Sequence, residues 1–534
     1  MATGIAGRSG GRAGRREYLG LAVLGLPTVL IALDMSVLYL AVPHLTEDLG
    51  ASALQQLWIT DIYGFVVSGF LIMMGSLGDR IGRRRLLLIG AALFAVMSIV
   101  AALSSSPEML IAARAGLGVA GATLMPSTMT LLRSMFTDPA QYMKAIGVWM
   151  ACFMGGIAFG PVIGGVLLQY FWWGSVFLLG VPVMAVLLLF GPRLLPEYRN
   201  PDAGPLDVVS ALFSLATVLP IIYGLKELVQ HGAGPVQFLA LTIGVSVGVL
   251  FVRRQRVLAV PMLELSLFGN RTFRSAITMV VFGGVMAGTN FFVYQYLQTV
   301  QGLEPLPAAL WLLPSSITII VGLNIAPRLG QRIRPAYVIA AGLIVVTIGY
   351  LVLAQAGDGP SGLAVLITGL VISGVGIGPM GALGAGLALG SVPMDKAGSA
   401  ASTNQVAGDF GIAMGVALIG VVGTTVYQDQ VADRLPADLP ASAANSARES
   451  VAGALSVSPQ LGEPLRGQLI ETAQAAFTTA MHYAAFGSAL VAVLLAILAV
   501  TTLRHVPPTG GAPVADASPE EAPATPAAAI SNAE

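Results

Sequence analysis

Gly75-Ser76-Leu77-Gly78-Asp79-Arg80-Ile81-Gly82-Arg83-Arg84-Arg85 is a short, strongly basic turn set between two apolar runs, 55–75 and 86–104. A run of about 20 apolar residues is long enough to cross a bilayer as a helix. Arginines crowded between two such runs hold the turn on the cytoplasmic side. This pair of spans sets the register from which the rest of the chain is read.

Working outward, the same criterion picks out one run before the pair, 18–43, and eleven after it: 108–133, 143–168, 174–195, 206–227, 235–252, 273–298, 306–327, 337–355, 362–390, 403–426 and 480–503. Fourteen spans are therefore expected, with 206–227 and 235–252 the weakest runs. The first run is too long for a leader, is interrupted by Asp34 and lacks a small-residue cleavage pattern, so no signal peptide is expected.

The composition agrees. Of 534 residues only 10% are charged and 55% are hydrophobic, and mean hydropathy is +0.81. Soluble domains carry roughly 25% charged residues, so a polytopic membrane protein is expected. The 27 Lys and Arg equal the 27 Asp and Glu, which gives no basic excess for nucleic acid. A single cysteine, Cys152, and four scattered histidines offer no disulfide framework and no metal-ligand spacing. None of the three lysines follows a glycine, so no P-loop is present. The bias to Arg over Lys, with abundant Ala, Gly and Pro, points to a GC-rich genome.

Sorting the bases orients the chain. All Lys and Arg except Lys226, Arg434, Arg448, Arg466 and Arg114 fall in the tails and in alternate loops on one side, which places both termini in the cytoplasm. The expected organisation is a cytoplasmic tail 1–17, a six-helix lobe 18–200, two inserted helices in 201–262, a second six-helix lobe 263–505 and a disordered tail 506–534, rich in Pro, Ala and Glu. The second lobe contains the long outer loop 428–480, with short helices expected around Ala443–Leu455 and Leu465–Ala475.

The halves resemble each other. Leu77-Gly78-Asp79-Arg80-Ile81-Gly82-Arg83 is echoed by Leu329-Gly330-Gln331-Arg332-Ile333-Arg334-Pro335, and the string Gly116-Gly118-Gly121 by Gly376-Gly378-Gly381. These glycine strings lie inside apolar helices rather than between a strand and a helix, so they read as close helix packing and not as a nucleotide fingerprint. Two related six-helix halves around a midplane cavity form a transporter architecture.

The stretch Gly75–Arg85, with Gly75, Asp79, Arg80, Gly82, Arg83 and Arg84, resembles the signature loop of the major facilitator superfamily. That resemblance implies an all-α membrane protein with the major facilitator fold, and a latch on the cytoplasmic gate. Gly156-Ile157-Ala158-Phe159-Gly160-Pro161-Val162-Ile163-Gly164-Gly165 resembles the family's antiporter motif. Gly156, Gly160 and Gly164 share one helix face and admit a close neighbour, while Pro161 removes a backbone hydrogen bond. Ala32-Leu33-Asp34-Met35-Ser36-Val37-Leu38-Tyr39-Leu40-Ala41-Val42-Pro43 is similar to the first span of fourteen-span drug:proton antiporters of the QacA type, and Asp61 and Arg114 agree with it. Leu117 and Asn324 depart from that pattern. The resemblance covers about 18–505 and implies export of small hydrophobic cationic drugs against protons, driven by the proton gradient and without a cofactor. A monomer in a bacterial cytoplasmic membrane is expected.

An ionisable group at the centre of a span costs about 2.5–3.5 kcal/mol on insertion scales and marks a functional candidate. Asp34, Asp61, Arg114 and Asp409 are the candidates for proton coupling. A carboxyl group deprived of water holds a proton more readily, and its charged form attracts a cation; alternation between the two is antiport in its simplest form. Asp34 reads as the main proton carrier or as a structural partner of Arg114. Asp61 reads as a second coupling acid or as a hydrated residue near the outer interface. Asp409 reads as a cavity acid or as a polar interhelix contact beside Asn404 and Gln405. Asp34 and Asp61 are also candidates for holding the substrate. The expected cavity wall is aromatic: Trp58, Tyr63, Trp149, Phe153, Asn290, Phe291, Tyr294, Gln298 and Trp311, where ring faces bind cations. For each aromatic taken singly, ordinary packing or an interfacial belt is the favoured alternative. A dedicated exporter of one metabolite or self-made antibiotic is the alternative; a receptor or scaffold would need neither membrane acids nor an antiporter motif, and no catalytic cluster points to an enzyme.

Overall fold

The computed structural model describes residues 13–136, 138–199, 207–231, 234–258, 261, 263–393, 396–436 and 438–508. These residues are helical and contain no strand. In hydrocarbon every backbone polar group needs an internal partner, which a helix supplies.

The first section comprises α1 (Arg15–Leu49), α2 (Ala53–Ile81), α3 (Arg83–Ala102), α4 (Pro107–Met135), α5 (Pro139–Tyr170), the short α6 (Ser175–Leu178) and α7 (Gly180–Leu194). Then come α8 (Val208–His231) and α9 (Pro235–Val257). The last section comprises α10 (Arg271–Val285), α11 (Gly288–Thr299), α12 (Pro305–Arg332), α13 (Pro335–Leu353), α14 (Gly359–Gly390), α15 (Ala397–Arg434), α16 (Ala441–Glu449), α17 (Val451–Val457) and α18 (Leu465–Leu503). The starts follow local chemistry. Ser52 and Gln55 form a reciprocal capping box on α2, Ser106 caps α4 and Asp138 caps α5, each satisfying an amide left free by the first turn. Proline stands in the first turn of α4, α5, α9, α12, α13 and α14, where its missing N–H costs nothing.

Every expected apolar run falls on these helices. Among the described residues twelve helical stretches are long and apolar enough to cross a membrane, counting α6 with α7 and α10 with α11 as single stretches. The bent α2 makes a thirteenth, and the apolar part of α8, Val208–Gly224, is shorter than the rest. Large apolar side chains stand exposed along α3 (Ile89, Val96), α9 (Phe238, Leu239, Ile243) and α18 (Leu490, Leu494, Ile497), a surface suited to lipid rather than water.

Two expectations about the segment 428–480 change. The polar stretch from Leu465 is not a short separate helix, because it runs without a break into α18. The helix expected over Ala443–Leu455 is two helices, divided at Ser450, whose side chain caps α17. The Tyr427 hydroxyl donates to Ala447 O at 2.8 Å, and Gln474 donates to Thr299 O at 2.8 Å, so this segment is packed onto the helix ends. Residues 1–12 and 509–534 of the expected tails lie outside the described residues.

Within the first section α1 packs on α5 and α2 on α4; within the last, α12 and α13 pack on α14, and α10 and α18 on α15. The two sections meet along α2–α15, α5–α12 and α1–α11. These meetings gather toward the end of the bundle where α1 passes into α2. There Gln169 donates to Glu304 at 2.8 Å, Gln298 donates to Leu40 O at 3.0 Å, and Tyr39 stacks on Tyr294. Along α5 the face turned to α12 loses cover in the other direction: Pro161 and Ala158 are buried, whereas Ala151 and Gly147 are exposed. Helix α8 covers the α2–α15 seam, where Ile222 packs with Phe65, Ala413 and Ala417.

Candidate functional site

A cavity of about 750 Å³ lies among α1, α2, α4, α5 and α15 and is lined by Asp34, Asp61, Arg114 and Asp409 together. Residues up to several hundred positions apart thus line one space.

Asp34 comes from the middle of α1. Its Oδ2 accepts from Arg114 Nη1 at 2.6 Å. Arg114, on α4, is 2% exposed; its Nε donates to Ile59 O at 3.2 Å, and its guanidinium lies 4.8 Å from the centre of the Tyr63 ring. A buried cation is tolerated when its hydrogen bonds and counter-charge are supplied, and α1, α2 and α4 share that task here. Tyr63 is itself fixed by glycine: a Cβ at Gly121 would lie 2.7 Å from the Tyr63 hydroxyl, and one at Gly118 only 2.8 Å from Val66. The string Gly116-Gly118-Gly121 therefore serves helix approach. In the matching string, a Cβ at Gly376 would lie 2.8 Å from Val346.

Asp409 enters from α15, level with Gly64 and one turn along α2 from Asp61. Its two carboxylate oxygens accept from Gln405 Nε2 at 3.1 and 3.2 Å. Asp61 is buried at 2% exposure. Asp409 lines the cavity, as its reading as a cavity acid expects; its bond to Gln405 lies within α15 and is not a contact between helices.

The expected wall is only partly right. Tyr63 and Phe153 line the cavity. Trp149 stacks behind Phe153, with ring centres 6.2 Å apart, and Tyr294 stacks on Tyr39, which does line it. Trp58 packs against the Phe65 cluster at the α2–α15 seam, and Gln298 bonds to α1. Phe291 packs edge-on to Phe292. Asn290 and Trp311 are exposed and outside the lining. The sequence reading missed Tyr39, Thr60, Met125 and Gln405 as wall residues; Tyr39 stands within the first-span stretch that resembles the antiporters.

The antiporter-like motif is built against the Asp34 helix. Cβ atoms at Gly156 and Gly164 would lie 2.6 Å from Ala32 Cβ and Val37 Cγ1, and one at Gly160 would meet the Ser36 hydroxyl. These glycines grip α1 on both sides of Asp34. Gly165 faces instead to α12, where a Cβ would be 2.8 Å from Leu306 Cα. One stretch of α5 thus touches both the Asp34 helix and the last section.

The Gly75–Arg85 turn is tied to the end of α7. Gly82 has φ +110°, open to glycine and strained for other residues, and a Cβ there would meet the Glu197 carboxylate. Asp79 accepts from Arg83 at 2.7 Å. Arg84 pairs with Glu197 at 3.4 Å and donates to Pro192 O and Leu195 O. Arg80 is exposed, and Gly75 approaches Pro126 of α4. On the same side, Glu264 pairs with Lys396, and the lysine's hydrogen bond holds the Glu264 carboxyl below the usual carboxylate range.

Comparison with known proteins adds relatives to this geometry. The sequence model of the Major Facilitator Superfamily matches residues 24–416. The multidrug efflux pump LfrA of Mycolicibacterium smegmatis is 40% identical over 494 residues, covering 92% of this chain and 97% of the relative. The methyl viologen resistance protein SmvA of Salmonella typhimurium is 31% identical, covering 90% and 97%. The tetracenomycin C resistance and export protein of Streptomyces glaucescens is 29% identical, covering 92% and 93%. Among solved structures, a bacterial homologue of the lysosomal transporter Spinster in an inward-facing conformation matches with a TM-score of 0.62 at 15% identity, over 92% of this chain and 99% of that one.

Proposed function

This chain belongs to the Major Facilitator Superfamily, and from that premise we propose that it is a proton-coupled antiporter exporting hydrophobic cationic drugs and antiseptics across the cytoplasmic membrane. Its relatives are multidrug and antibiotic efflux pumps of that superfamily, and its family and fold are those of transporters rather than enzymes. The observation that carries the reading is the meeting of Asp34, Asp61, Asp409 and Arg114 in one cavity.

In this reading the chain has fourteen spans: two six-helix lobes, with α8 and α9 inserted between them and both termini in the cytoplasm. It works as a monomer. The contacts gathered at the α1–α2 end are a closed outer gate, and the uncovered face of α5 opens the cavity inward. A cationic drug enters from the cytoplasm and is drawn to the acids. Rocking about the α5 glycines turns the loaded cavity outward; a proton taken up there at Asp34 neutralises the carboxylate, loosens its bond to Arg114 and releases the drug outside, and the return to the inward-open state delivers that proton to the cytoplasm. The Asp79–Arg83 and Arg84–Glu197 pairs brace the cytoplasmic turn during that motion. SmvA is named for resistance to methyl viologen, which favours a cationic cargo, and LfrA is named as a multidrug pump, which favours a broad one. The tetracenomycin C exporter supports the second reading, export of one antibiotic on the same fold.

A drug panel in a pump-deleted strain separates them. Broad export predicts resistance to several unrelated cationic dyes and antiseptics, with neutral and anionic drugs unaffected. Protection against one compound alone supports the second reading. Collapse of the proton gradient stops efflux in either case, and continued pumping would contradict antiport.

A further inference from the structure

The turn Gly75–Arg85 and its echo Leu329–Pro335 both carry arginines, but only the first answers them with acids. There Asp79 pairs with Arg83 at 2.7 Å and Glu197 with Arg84 at 3.4 Å. In the echo Gln331 stands at the place of Asp79, and among the described residues neither Arg332 nor Arg334 forms an ion pair. Arg334 Nη1 instead donates to Arg504 O at 3.1 Å, and Arg271 Nη2 donates to Thr501 O at 3.0 Å. Both acceptors belong to the last turn of α18 and the residue that follows it. The starts of α10 and α13 thus bring two guanidinium groups to one helix end, beside Arg504 itself. The C-terminus of a helix carries only about half a negative charge, so most of the positive charge gathered there is unanswered. Arg271, Arg332, Arg334 and Arg504 are all exposed. A guanidinium has five N–H donors, so Arg271 and Arg334 keep donors for a further anion.

Beside this patch the surface turns apolar. Tyr337, Ile344 and Ile348 are exposed along α13, and Leu490, Leu494 and Ile497 along α18, the helix that α13 packs on. Spacings of four, seven and three residues put each set on one helix face. We propose that the patch binds the phosphate headgroup of an anionic phospholipid of the inner leaflet, with its acyl chains along these exposed faces. Charge complementarity sets the sign of the ligand, and the planar arginine fork matches two phosphate oxygens. Continuity with the apolar faces selects a lipid over a soluble phosphate. A lipid held there ties the ends of α10, α13 and α18 together, as Asp79 and Glu197 tie the turn of the first section. The proposal goes beyond the export reading: it rests on the cytoplasmic placement of the echo turn and needs neither the cargo nor the proton.

Native mass spectrometry of the purified full chain in detergent, titrated with phosphatidylglycerol or phosphatidylcholine, tests this. The wild type is expected to bind phosphatidylglycerol about tenfold more tightly than phosphatidylcholine. One basic residue near an anionic headgroup raises affinity about fivefold, so the combined variant Arg271→Gln, Arg334→Gln, Arg504→Gln is expected to bind phosphatidylglycerol about a hundredfold more weakly. Two of those side chains also cap α18, so Arg332→Gln, which caps nothing, supplies a single step of about fivefold. Arg448→Gln, on α16, is expected to change nothing. Equal wild-type affinity for the two lipids would overturn the site, and so would unchanged affinity in the triple variant, or in Arg332→Gln should the triple variant fail to fold. Full displacement of the lipid by glycerol phosphate at matched concentration would overturn it by making the ligand a soluble phosphate. Phosphatidylglycerol binding seen only after removal of residues 509–534 would also overturn it, because Asp516, Glu520, Glu521 and Glu534 of that tail would then be the occupant.

Discussion

The two sides of the central cavity hold their carboxylates differently. On the α1–α4 side, Asp34 is bound at 2.6 Å by an arginine that is itself buried, bonded to Ile59 O and set beside the Tyr63 ring. On the α15 side, Asp409 is held by the amide of Gln405, and among the described residues no basic side chain forms an ion pair with it. A carboxylate bound to a cation has its charge already answered, so it changes the cavity's field only when a proton replaces the guanidinium. A carboxylate bound only to an amide has no cation answering its charge, so whenever it is ionised it turns a net negative charge to the cavity. The first arrangement suits a switch and the second suits attraction of cargo.

The sharpest break in this contrast is Asp34→Asn, which is expected to abolish drug resistance while leaving the protein in the membrane at normal levels. Resistance at the wild-type level would remove the proton-carrier role. Arg114→Ala leaves Asp34, whose side chain is 14% exposed, charged without its partner. Breaking a buried pair in this way costs about 3–5 kcal/mol, so a clear fall in melting temperature in detergent is expected, together with loss of transport. An unchanged melting temperature would mean that water already reaches the pair. Asp409→Asn removes attraction but not the switch: affinity for cationic drugs should fall about tenfold, within the range of one close charge pair, and Asp409→Glu should restore most of it. Equal loss for a neutral drug would assign Asp409 a structural role instead.

The smallest effect is expected away from the cavity, at Glu264 and Lys396, whose side chains are 25% and 35% exposed. Glu264→Gln should cost less than about 1 kcal/mol, as exposed pairs do. The Glu264 carboxyl is held below its ordinary value, so this contribution is complete at neutral pH and is lost as pH falls through that lowered value. A melting-temperature difference between wild type and Glu264→Gln that grew on acidification would contradict this assignment.

Much of the architecture was legible because hydrocarbon imposes a strong rule on sequence: every expected apolar run falls on a helix, and the four charges placed inside spans line one cavity. Hydropathy is silent where a helix leaves the membrane, which is why α18 begins at Leu465, well before its apolar run, and why α15 continues to Arg434. It is equally silent about direction. Lipid and a drug-binding cavity both accept apolar and aromatic side chains, so periodicity cannot separate Tyr63, which lines the cavity, from Trp311, which is exposed. Nor could it foresee that Trp58 would pack at the α2–α15 seam beside α8. The glycines carried more information than the aromatics, since Gly156, Gly160 and Gly164 marked the face that grips the Asp34 helix. The identity of that neighbour depended on tertiary packing.

Coupling at Asp34 is most directly read from proton movement in vesicles containing the purified protein and a trapped pH-sensitive dye. When a gradient of cationic drug is imposed without any other driving force, the wild type should move protons opposite to the drug, and Asp34→Asn should move none. Drug movement without proton movement in the wild type, or proton movement at the wild-type rate in Asp34→Asn, would contradict antiport through this carboxylate.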